Sequence, residues 1–427
     1  MTIVAIVDSG LNLKHRSISK KLWVNPEEIV GNGIDDDFNG VVDDVHGFDT
    51  LSSSGLSPLL LNFGDPQGHG THVAGIVTRL SPKSTIMPIR ILDSSGNGRM
   101  SDALFAWSYA LENGAKVINN SFGVVGLLPA EFSFMEEAVR LGREKYGAVF
   151  VAAAGNQANN NDYLPGTPAN VAGMISVGAT NLNGSVASFS NFGKESVHLF
   201  APGAQIVSSD AFSLSGSTIK SGTSQAAPMV SAVIAKLASK KNTISAEELE
   251  QKLFAKLKPL PQLDDVSVTG SALASGLTRK ITRLSPKARL QRSSRADLIT
   301  GQFRRDRFIG VLDPSTGMTQ KDVKNDLLCK ANSVIDEPEW PFDNIAVFTV
   351  NESARRTCGG CRGTRLRSDR VFDEPGKRKP AIQAFNQVLE TGLFQSVEWD
   401  AVVTVASPDR SSMQVSESSF LADIFAA

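Results

Sequence analysis

The sequence Gly222-Thr223-Ser224-Gln225-Ala226-Ala227-Pro228 leads into the apolar residues Met229, Val230, Val233, Ile234 and Leu237. This run is apolar around most of its circumference, which predicts a helix buried in the core. Pro228 fits such a helix within the first turn, where a missing backbone N–H costs no hydrogen bond. Ser224 would then lie at the helix N-terminus, where free N–H groups and the helix dipole stabilise negative charge. Taken alone, Ser224 fits a helix cap better than a reactive group.

Size and composition indicate a globular protein with a real core. The chain has 427 residues, of which 41% are hydrophobic and 20% charged, enough for two or three domains. The net charge of −1 argues against nucleic acid or a membrane surface as a partner. No apolar run is long enough to predict a membrane span. The 3 cysteines make no disulfide framework, and Cys358 and Cys361 fit a redox pair, a disulfide or two ordinary thiols.

Strands and helices alternate through the first two thirds of the chain. Residues Thr2–Val7 are nearly all apolar and rich in β-branched side chains, as in a parallel strand buried on both faces. A capping box at Ser245 opens another helix. The alternation predicts an α/β fold with a doubly wound parallel sheet. The other predicted strands are 86–92, 117–120, 148–154, 174–177 and 197–200, and helices are predicted at 73–80, 101–113 and 129–146.

The pattern changes after Pro259, and we predict three segments. Residues 1–278 form the first domain, residues 279–304 a solvated basic linker, and residues 305–427 a second, smaller domain of α/β or α+β type. In this second domain the pattern predicts strands at 308–312, 345–350 and 397–406 and helices at 319–335 and 381–393.

Three chemically reactive side chains occur at the ends of predicted elements. Asp8 ends the first strand, His69 lies in the glycine-rich sequence 68–75, and Ser224 begins the buried helix. An alcohol becomes a nucleophile when an imidazole takes its proton, and a carboxylate orients that imidazole. The residues therefore fit a Ser-His-Asp triad. His69 and His72 could instead bind a metal, although no His-Glu-x-x-His pattern supports zinc.

Five motifs, in this order along the chain, resemble those of the subtilisin-like serine proteases (subtilases, peptidase S8 family). They are IVDSG at 6–10, HGTHVAG at 69–75, AAAGN at 152–156, APG at 201–203 and GTSQAAP at 222–228. Aspartate, histidine and serine follow one another in the same order in subtilisin. The resemblance covers residues 1–278 and implies a subtilisin-like fold for that part of the chain.

The resemblance implies a serine endopeptidase that hydrolyses peptide bonds through an acyl-enzyme and needs no cofactor for its chemistry. Ser224 would attack, His69 would act as base and then as acid, and Asp8 would orient His69. Asn156 would stabilise the oxyanion. Pro168 matches a position where relatives often hold a cis peptide. The residues implied to bind an extended substrate or line its first specificity pocket are Ser95, Gly96, Asn97, Gly98, Ser121, Phe122, Gly123, Ala152, Ala153, Ala154 and Gly166.

Residues 31–44 form an acidic loop that fits a structural calcium site. Asp35, Asp37 and Asn39 alternate before a glycine, a spacing by which a loop surrounds Ca²⁺ with oxygen ligands. Asp43 would complete this predicted ligand set. A polar surface turn is the alternative, and the occurrence of such loops in many relatives favours calcium. His46 stands where an EF-hand would need a glutamate, so the loop is not an EF-hand.

Two other functions stay open beside the endopeptidase. An inactive binding protein on the same fold is disfavoured, because both triad partners of Ser224 and also Asn156 are present. A processing enzyme or transpeptidase would use residues 305–427 to recruit its substrate. We expect polypeptides as partners, together with a regulatory contact from the C-terminal domain. The resemblance favours an extracellular protein, although Ile3–Val7 is read as a strand and not as a signal peptide. A fragment, a mis-started gene, a mature form or an intracellular member would each begin in this way.

Overall fold

The computed structural model describes residues 1–282, apart from 53, 56–63, 126–132 and 241–243, and residues 303–312, 339–342, 345–349 and 394–405. The predicted helices at 319–335 and 381–393 lie outside the described residues, as do Cys358 and Cys361. The chain divides into two compact units. Unit 1 comprises Met1–Gln302 and Ala401–Pro408, and unit 2 comprises Phe303–Asp400 and Asp409–Ala427.

A mostly parallel sheet runs through unit 1. The strands of this unit are β1 (Ile3–Asp8), β2 (Phe48–Asp49), β3 (Ser54–Gly55), β4 (Thr85–Arg90), β5 (Asn97–Arg99), β6 (Val117–Asn120), β7 (Phe122–Val125), β8 (Val149–Ala153), β9 (Gly166–Thr167), β10 (Met174–Thr180), β11 (Leu199–Pro202), β12 (Ile206–Ser209), β13 (Ser217–Lys220), β14 (Leu257–Pro259) and β15 (Ser271–Leu273). Ten of them form one sheet in the order β14-β15-β11-β10-β8-β6-β1-β4-β2-β3. This arrangement confirms the predicted doubly wound α/β fold.

Helices cover both faces of the sheet. They are α1 (His69–Leu80), α2 (Met100–Glu112), α3 (Ser133–Tyr146), α4 (Thr223–Ala238), α5 (Ala246–Phe254) and α6 (Ser275–Thr282). The first, α1, shares one apolar core with α4 and α5, whereas α2 and α3 pack on each other. In α4 every residue except Lys236 is buried, as its apolar circumference predicts. No helix among the described residues is both long and apolar enough to span a bilayer.

The order of the strands makes the carboxyl end of β1 the place for a site. β1 pairs in parallel with β4 on one side and with β6 on the other. The next strands in the chain, β8, β10 and β11, continue outward beyond β6. The chain therefore reverses its direction of winding at β1, and ligands of open α/β sheets bind at such a switch point. Asp8 is the last residue of β1.

Pro228 lies deeper in its helix than the sequence predicts. α4 begins at Thr223, so Pro228 is in the second turn and removes a hydrogen bond within the helix. The carbonyl left without its usual N–H donor is that of Ser224, four residues earlier. The Ser121 hydroxyl donates to this carbonyl at 3.1 Å. A side chain from β6–β7 therefore replaces the missing N–H, which is why the proline is tolerated there.

Unit 2 contains a small antiparallel sheet. Its described strands are β16 (Phe303–Leu312), β17 (Glu339–Phe342), β18 (Ile345–Thr349) and β19 (Phe394–Val405). They follow the order β17-β18-β16-β19. The strand β17, which contains a proline, was not predicted, because proline weakens the pattern that marks a strand. From Ala401 onward β19 belongs to unit 1.

Gly70 allows α1 to approach β1. A Cβ atom at this position would lie 2.2 Å from the carbonyl oxygen of Gly10 and 3.2 Å from Cβ of Asp8. We expect Gly70→Ala to lower the free energy of unfolding by about 1–3 kcal/mol, because the helix must move away from the strand. Denaturant unfolding measures the change.

Gly276 provides the matched control in another helix. It lies in α6, and a Cβ atom there would meet nothing within 4 Å. Gly276→Ala should leave stability unchanged or raise it by up to ~1 kcal/mol. Equal stability of the two variants would contradict the close approach of α1 and β1.

Candidate active site

Asp8 and His69 are joined by a buried hydrogen bond. The two carboxylate oxygens of Asp8 lie 2.9 and 3.0 Å from Nδ1 of His69. Asp8 is fully buried and His69 is 4% exposed. β1 presents the carboxylate at its end, and α1 presents the imidazole at its first residue. This contact fixes the ring so that Nε2 is left for the reacting groups.

A second buried carboxylate, that of Asp65, holds the start of α1. One of its oxygens accepts from the Ser9 hydroxyl and from the backbone N–H of Gly68, both at 2.7 Å. The other accepts from the N–H of Thr71 at 2.7 Å and from its hydroxyl at 2.6 Å. Burial raises the pKa of Asp65 above its usual value. Sequence reasoning missed this residue, which connects the end of β1 to the helix that carries His69.

Ser224 lies in the first turn of α4, and Gly222 is the capping residue before it. Its hydroxyl donates to the carbonyl of Ser121 at 3.1 Å. The next residue, Gln225, has its side-chain Nε2 3.5 Å from Nε2 of His69. The first turn of α4 therefore faces the side of His69 that does not bind Asp8.

The side-chain amide of Asn156 is fixed through its oxygen. Its Oδ1 accepts from the N–H of Thr223 at 2.8 Å and from the Thr223 hydroxyl at 3.1 Å. These two donors fix which way round the amide lies. Among the described residues its Nδ2 has no hydrogen-bond partner, although the atom is buried. Such an N–H group can stabilise an oxygen that gains negative charge.

His72 does not join His69 in a common site. Its Nε2 lies 3.1 Å from the carbonyl oxygen of Ile206, on the neighbouring strand β12. Burial holds the pKa of His72 well below its usual value, so the ring stays neutral in the core. His69 faces Asp8 instead, and the two imidazoles bind different partners.

Comparison with known proteins assigns this arrangement to a family. The profile of the Subtilase family (peptidase S8) matches residues 1–276. The chain belongs to the subtilase family. Thermitase of Thermoactinomyces vulgaris is 34% identical over 253 residues, which cover 57% of this chain and 76% of thermitase.

Other relatives agree with the family assignment. A thermophilic serine proteinase of Bacillus sp. (strain AK1) is 34% identical over 55% of this chain, and the match spans only 52% of that relative. A crystal structure of a cold-adapted subtilisin-like serine proteinase superposes with a TM-score of 0.51 at 27% identity, over 64% of this chain and 88% of that one. The family resemblance predicted from the sequence is therefore confirmed.

Most of the predicted substrate residues of this subtilase lie on or next to the strands β5 and β7. Asn97 and Gly98 belong to β5, and Phe122 and Gly123 belong to β7. Ser95 and Gly96 lie in the turn before β5, where the Asp93 side chain accepts from the N–H of Ser95 at 2.8 Å.

A pocket opens beside β7, and small residues line much of it. Ala152 does not line this pocket; it lies in the buried centre of the sheet and pairs with Asn120. The peptide bond between Thr167 and Pro168 is cis, as the family resemblance implied. The lining residues are Phe122, Gly123, Val124, Val125, Ala153, Ala154, Gly155, Gln157, Gly166, Thr167 and Ala169.

Three carboxylates, two of them from the acidic loop, lie close together. They are those of Glu28, Asp37 and Asp44, with one oxygen of each lying within 4.8 Å of the others. Of the predicted calcium ligands, Asp37 is in this cluster. Asp35 instead accepts from the N–H groups of Asn39 and Gly40, and Asp43 from those of Gly31 and Gly33. The Asn39 amide donates to both Asp37 and Asp44.

We predict that Asp65 positions His69. Asp65→Asn replaces an acceptor by an NH₂ group that faces backbone N–H donors, so it should lower the free energy of unfolding by about 1–3 kcal/mol. It should also lower kcat for peptide hydrolysis, because the start of α1 shifts. Unfolding curves and steady-state kinetics measure the two effects.

Asp162→Asn is the control for this variant. Asp162 also accepts several backbone N–H groups, among them those of Lys194 and Ser196, but these groups do not belong to α1, which carries His69. It should lose stability and keep its kcat. A loss of kcat of the same size in both variants would refute a positioning role for Asp65.

Proposed function

We propose that this subtilase is a serine endopeptidase that works through Ser224, His69 and Asp8. The observation that carries the proposal is the buried hydrogen bond between Asp8 and Nδ1 of His69. It leaves Nε2, on the other side of the ring, facing the first turn of α4. A carboxylate that binds Nδ1 sets the tautomer in which Nε2 can accept a proton. The groove between β5 and β7 favours an extended polypeptide as the substrate.

The reaction begins when the Ser224 hydroxyl exchanges its bond to Ser121 for one to Nε2 of His69. The oxygen attacks the carbonyl carbon of the substrate while His69 takes the proton. Asp8 stabilises the imidazolium that results. His69 then protonates the leaving amine, and water hydrolyses the ester of Ser224 by the same steps in reverse order.

Two hydrogen-bond donors would stabilise the negative charge that develops on the carbonyl oxygen of the substrate. The Asn156 amide supplies Nδ2, which is already desolvated and is fixed by the two bonds from Thr223. The backbone N–H of Ser224 supplies the second, at the positive end of α4. Because these donors are in place before the reaction, little free energy is needed to reorganise them. Removing the amide should cost about 10²–10³ in kcat.

A fluorophosphonate probe tests the proposed nucleophile. The wild-type protein should become labelled on Ser224, and Ser224→Ala should lose both labelling and peptide hydrolysis. Asn156→Ala should keep Ser224 and hydrolyse peptides about 10²–10³-fold more slowly. Intact-mass spectrometry and product analysis by mass spectrometry provide the readouts.

Ser239→Ala is the matched control, since Ser239 lies at the other end of α4. Labelling that persists in Ser224→Ala would exclude Ser224 as the nucleophile. Products in which two peptides are joined would favour the transpeptidase alternative over hydrolysis.

We propose that Glu28, Asp37 and Asp44 hold a structural calcium ion. Glu28 and Asp44 are buried, and burial raises the pKa of both carboxyls above their usual values. One buried oxygen of Glu28 has no hydrogen-bond partner among the described residues. Carboxylate oxygens are the ligands that Ca²⁺ prefers, and a divalent cation would neutralise their mutual repulsion. The ion would supply stability to the loop and no step of the chemistry.

Calcium should therefore raise the melting temperature. At a free concentration of 100 times Kd, a single site adds about 2.7 kcal/mol to the free energy of unfolding. Glu28→Gln should reduce this gain strongly, whereas Asp35→Asn should retain most of it, because Asp35 binds backbone N–H groups. Thermal melts with added calcium and with chelator measure the gain. The reverse ranking of the two variants would support the alternating ligands Asp35, Asp37, Asn39 and Asp43 instead.

We further propose that the C-terminal part of the chain regulates the protease by contact with it. An extracellular location, which the resemblance favours, also stays a prediction.

A further inference from the structure

A strand from the end of the chain lies in the groove of unit 1. Ala401–Pro408 belongs to the same compact unit as the triad. Val402, Val403 and Thr404 pair antiparallel with Arg99, Gly98 and Asn97 of β5. Thr404 and Val405 pair antiparallel with Gly123 and Phe122 of β7. The segment 402–405 is therefore the middle strand between the two strands implied to bind the substrate.

The direction of this strand is that of the acyl side of a substrate. Its last pair sets Val405 opposite Phe122, and the residue before Phe122 is Ser121. The carbonyl oxygen of Ser121 accepts the hydrogen bond of the Ser224 hydroxyl. The strand thus runs toward the nucleophile as its residue numbers rise. One more residue in the same register would pair with Ser121, and in the sequence that residue is Ala406.

The sequence of the segment suits addition of a strand. Residues 402–406 read VVTVA, with four β-branched residues and neither proline nor charge. β-Branched residues favour the extended backbone, and main-chain hydrogen bonds supply most of the affinity in this mode of binding. Because the segment is tethered, its effective concentration at the groove reaches roughly the millimolar range.

We propose that Ser224 cleaves its own chain between Ala406 and Ser407, and that residues 402–406 then stay in the groove as a tethered product that competes with other substrates. This inference rests on the proposed endopeptidase function. The Ser224 oxygen bonds to the carbonyl carbon of Ala406, the bond from that carbon to the nitrogen of Ser407 breaks, and His69 delivers the serine proton to the leaving amine. Water then splits the ester, which leaves a carboxylate on Ala406 and returns the proton to Ser224.

Intact-mass spectrometry of the full-length chain tests the cleavage. Wild-type protein should lose the residues from Ser407 to Ala427 and end at Ala406, whereas Ser224→Ala should keep all 427 residues. In an equimolar mixture the Ser224→Ala chain should be cut at least tenfold more slowly than the wild type cuts itself. The reason is that each groove is filled by the segment of its own chain.

Thr404→Pro tests the strand pairing, because proline removes a backbone N–H from the residue that pairs on both sides. It should slow self-cleavage and raise the initial rate of hydrolysis of a short external peptide by about tenfold, as the groove is emptied. Val415→Pro, beyond the proposed bond, should change neither rate. Fluorophosphonate labelling of Ser224 in both variants shows that unit 1 is folded.

Two outcomes overturn the proposal, and they are distinct from a failure of the protease function. A wild-type chain that is labelled on Ser224 and cleaves the external peptide, yet keeps its full mass or is cut at another bond, refutes self-cleavage while the endopeptidase stands. Self-cleavage of Thr404→Pro at the wild-type rate refutes guidance by the strand. A chain that is neither labelled nor active on any peptide refutes the endopeptidase itself.

Discussion

The hydrogen bond between Asp8 and His69 is the contact on which the site depends. A fully buried carboxylate is costly unless donors surround it. Here Nδ1 of His69 and the backbone N–H of Ser9, at 2.8 Å, supply them. The Ser9 donor is next to Asp8 in the chain, whereas the His69 donor is present only when α1 lies close against the end of β1. The absence of a side chain at Gly70 permits this approach. The packing of α1 against β1 therefore also sets the orientation of the His69 imidazole.

Ser224 and Asn156 are positioned near the Asp8–His69 contact by other elements that end at the switch point. The first turn of α4, which contains Ser224, faces His69. Two hydrogen bonds join Ser224 to Ser121, and each hydroxyl donates to the carbonyl oxygen of the other residue. Asn156 is fixed by Thr223, the first residue of the same helix. The proposed nucleophile, the proposed oxyanion donor and the start of β7 are therefore held by one small hydrogen-bond network. A displacement of α4 would disturb all three together.

Local sequence patterns were sufficient to predict the helices and strands. They were insufficient to predict the contacts between residues that are distant in the chain. The apolar run of β1 and the buried circumference of α4 report burial, so both were predicted within a residue or two. Pro228 was misplaced by a turn, because the donor that compensates for it, Ser121, comes from another part of the chain. Asp65 lies in a loop without periodicity, and only the folded chain shows that it joins Ser9 to α1. For the same reason the alternation of Asp35, Asp37 and Asn39 did not point to Glu28. The pairing of residues 402–405 with β5 and β7 has no local signal at all.

The most direct test of the account is to trap the covalent intermediate. A peptide ester is mixed with the protein, the reaction is quenched with acid at early times, and the protein is digested and mapped by mass spectrometry. The account predicts that the acyl group of the substrate is found on the peptide that contains Ser224, and that it disappears as the product forms. Turnover without any acylated protein, or acylation at a different residue, would contradict it.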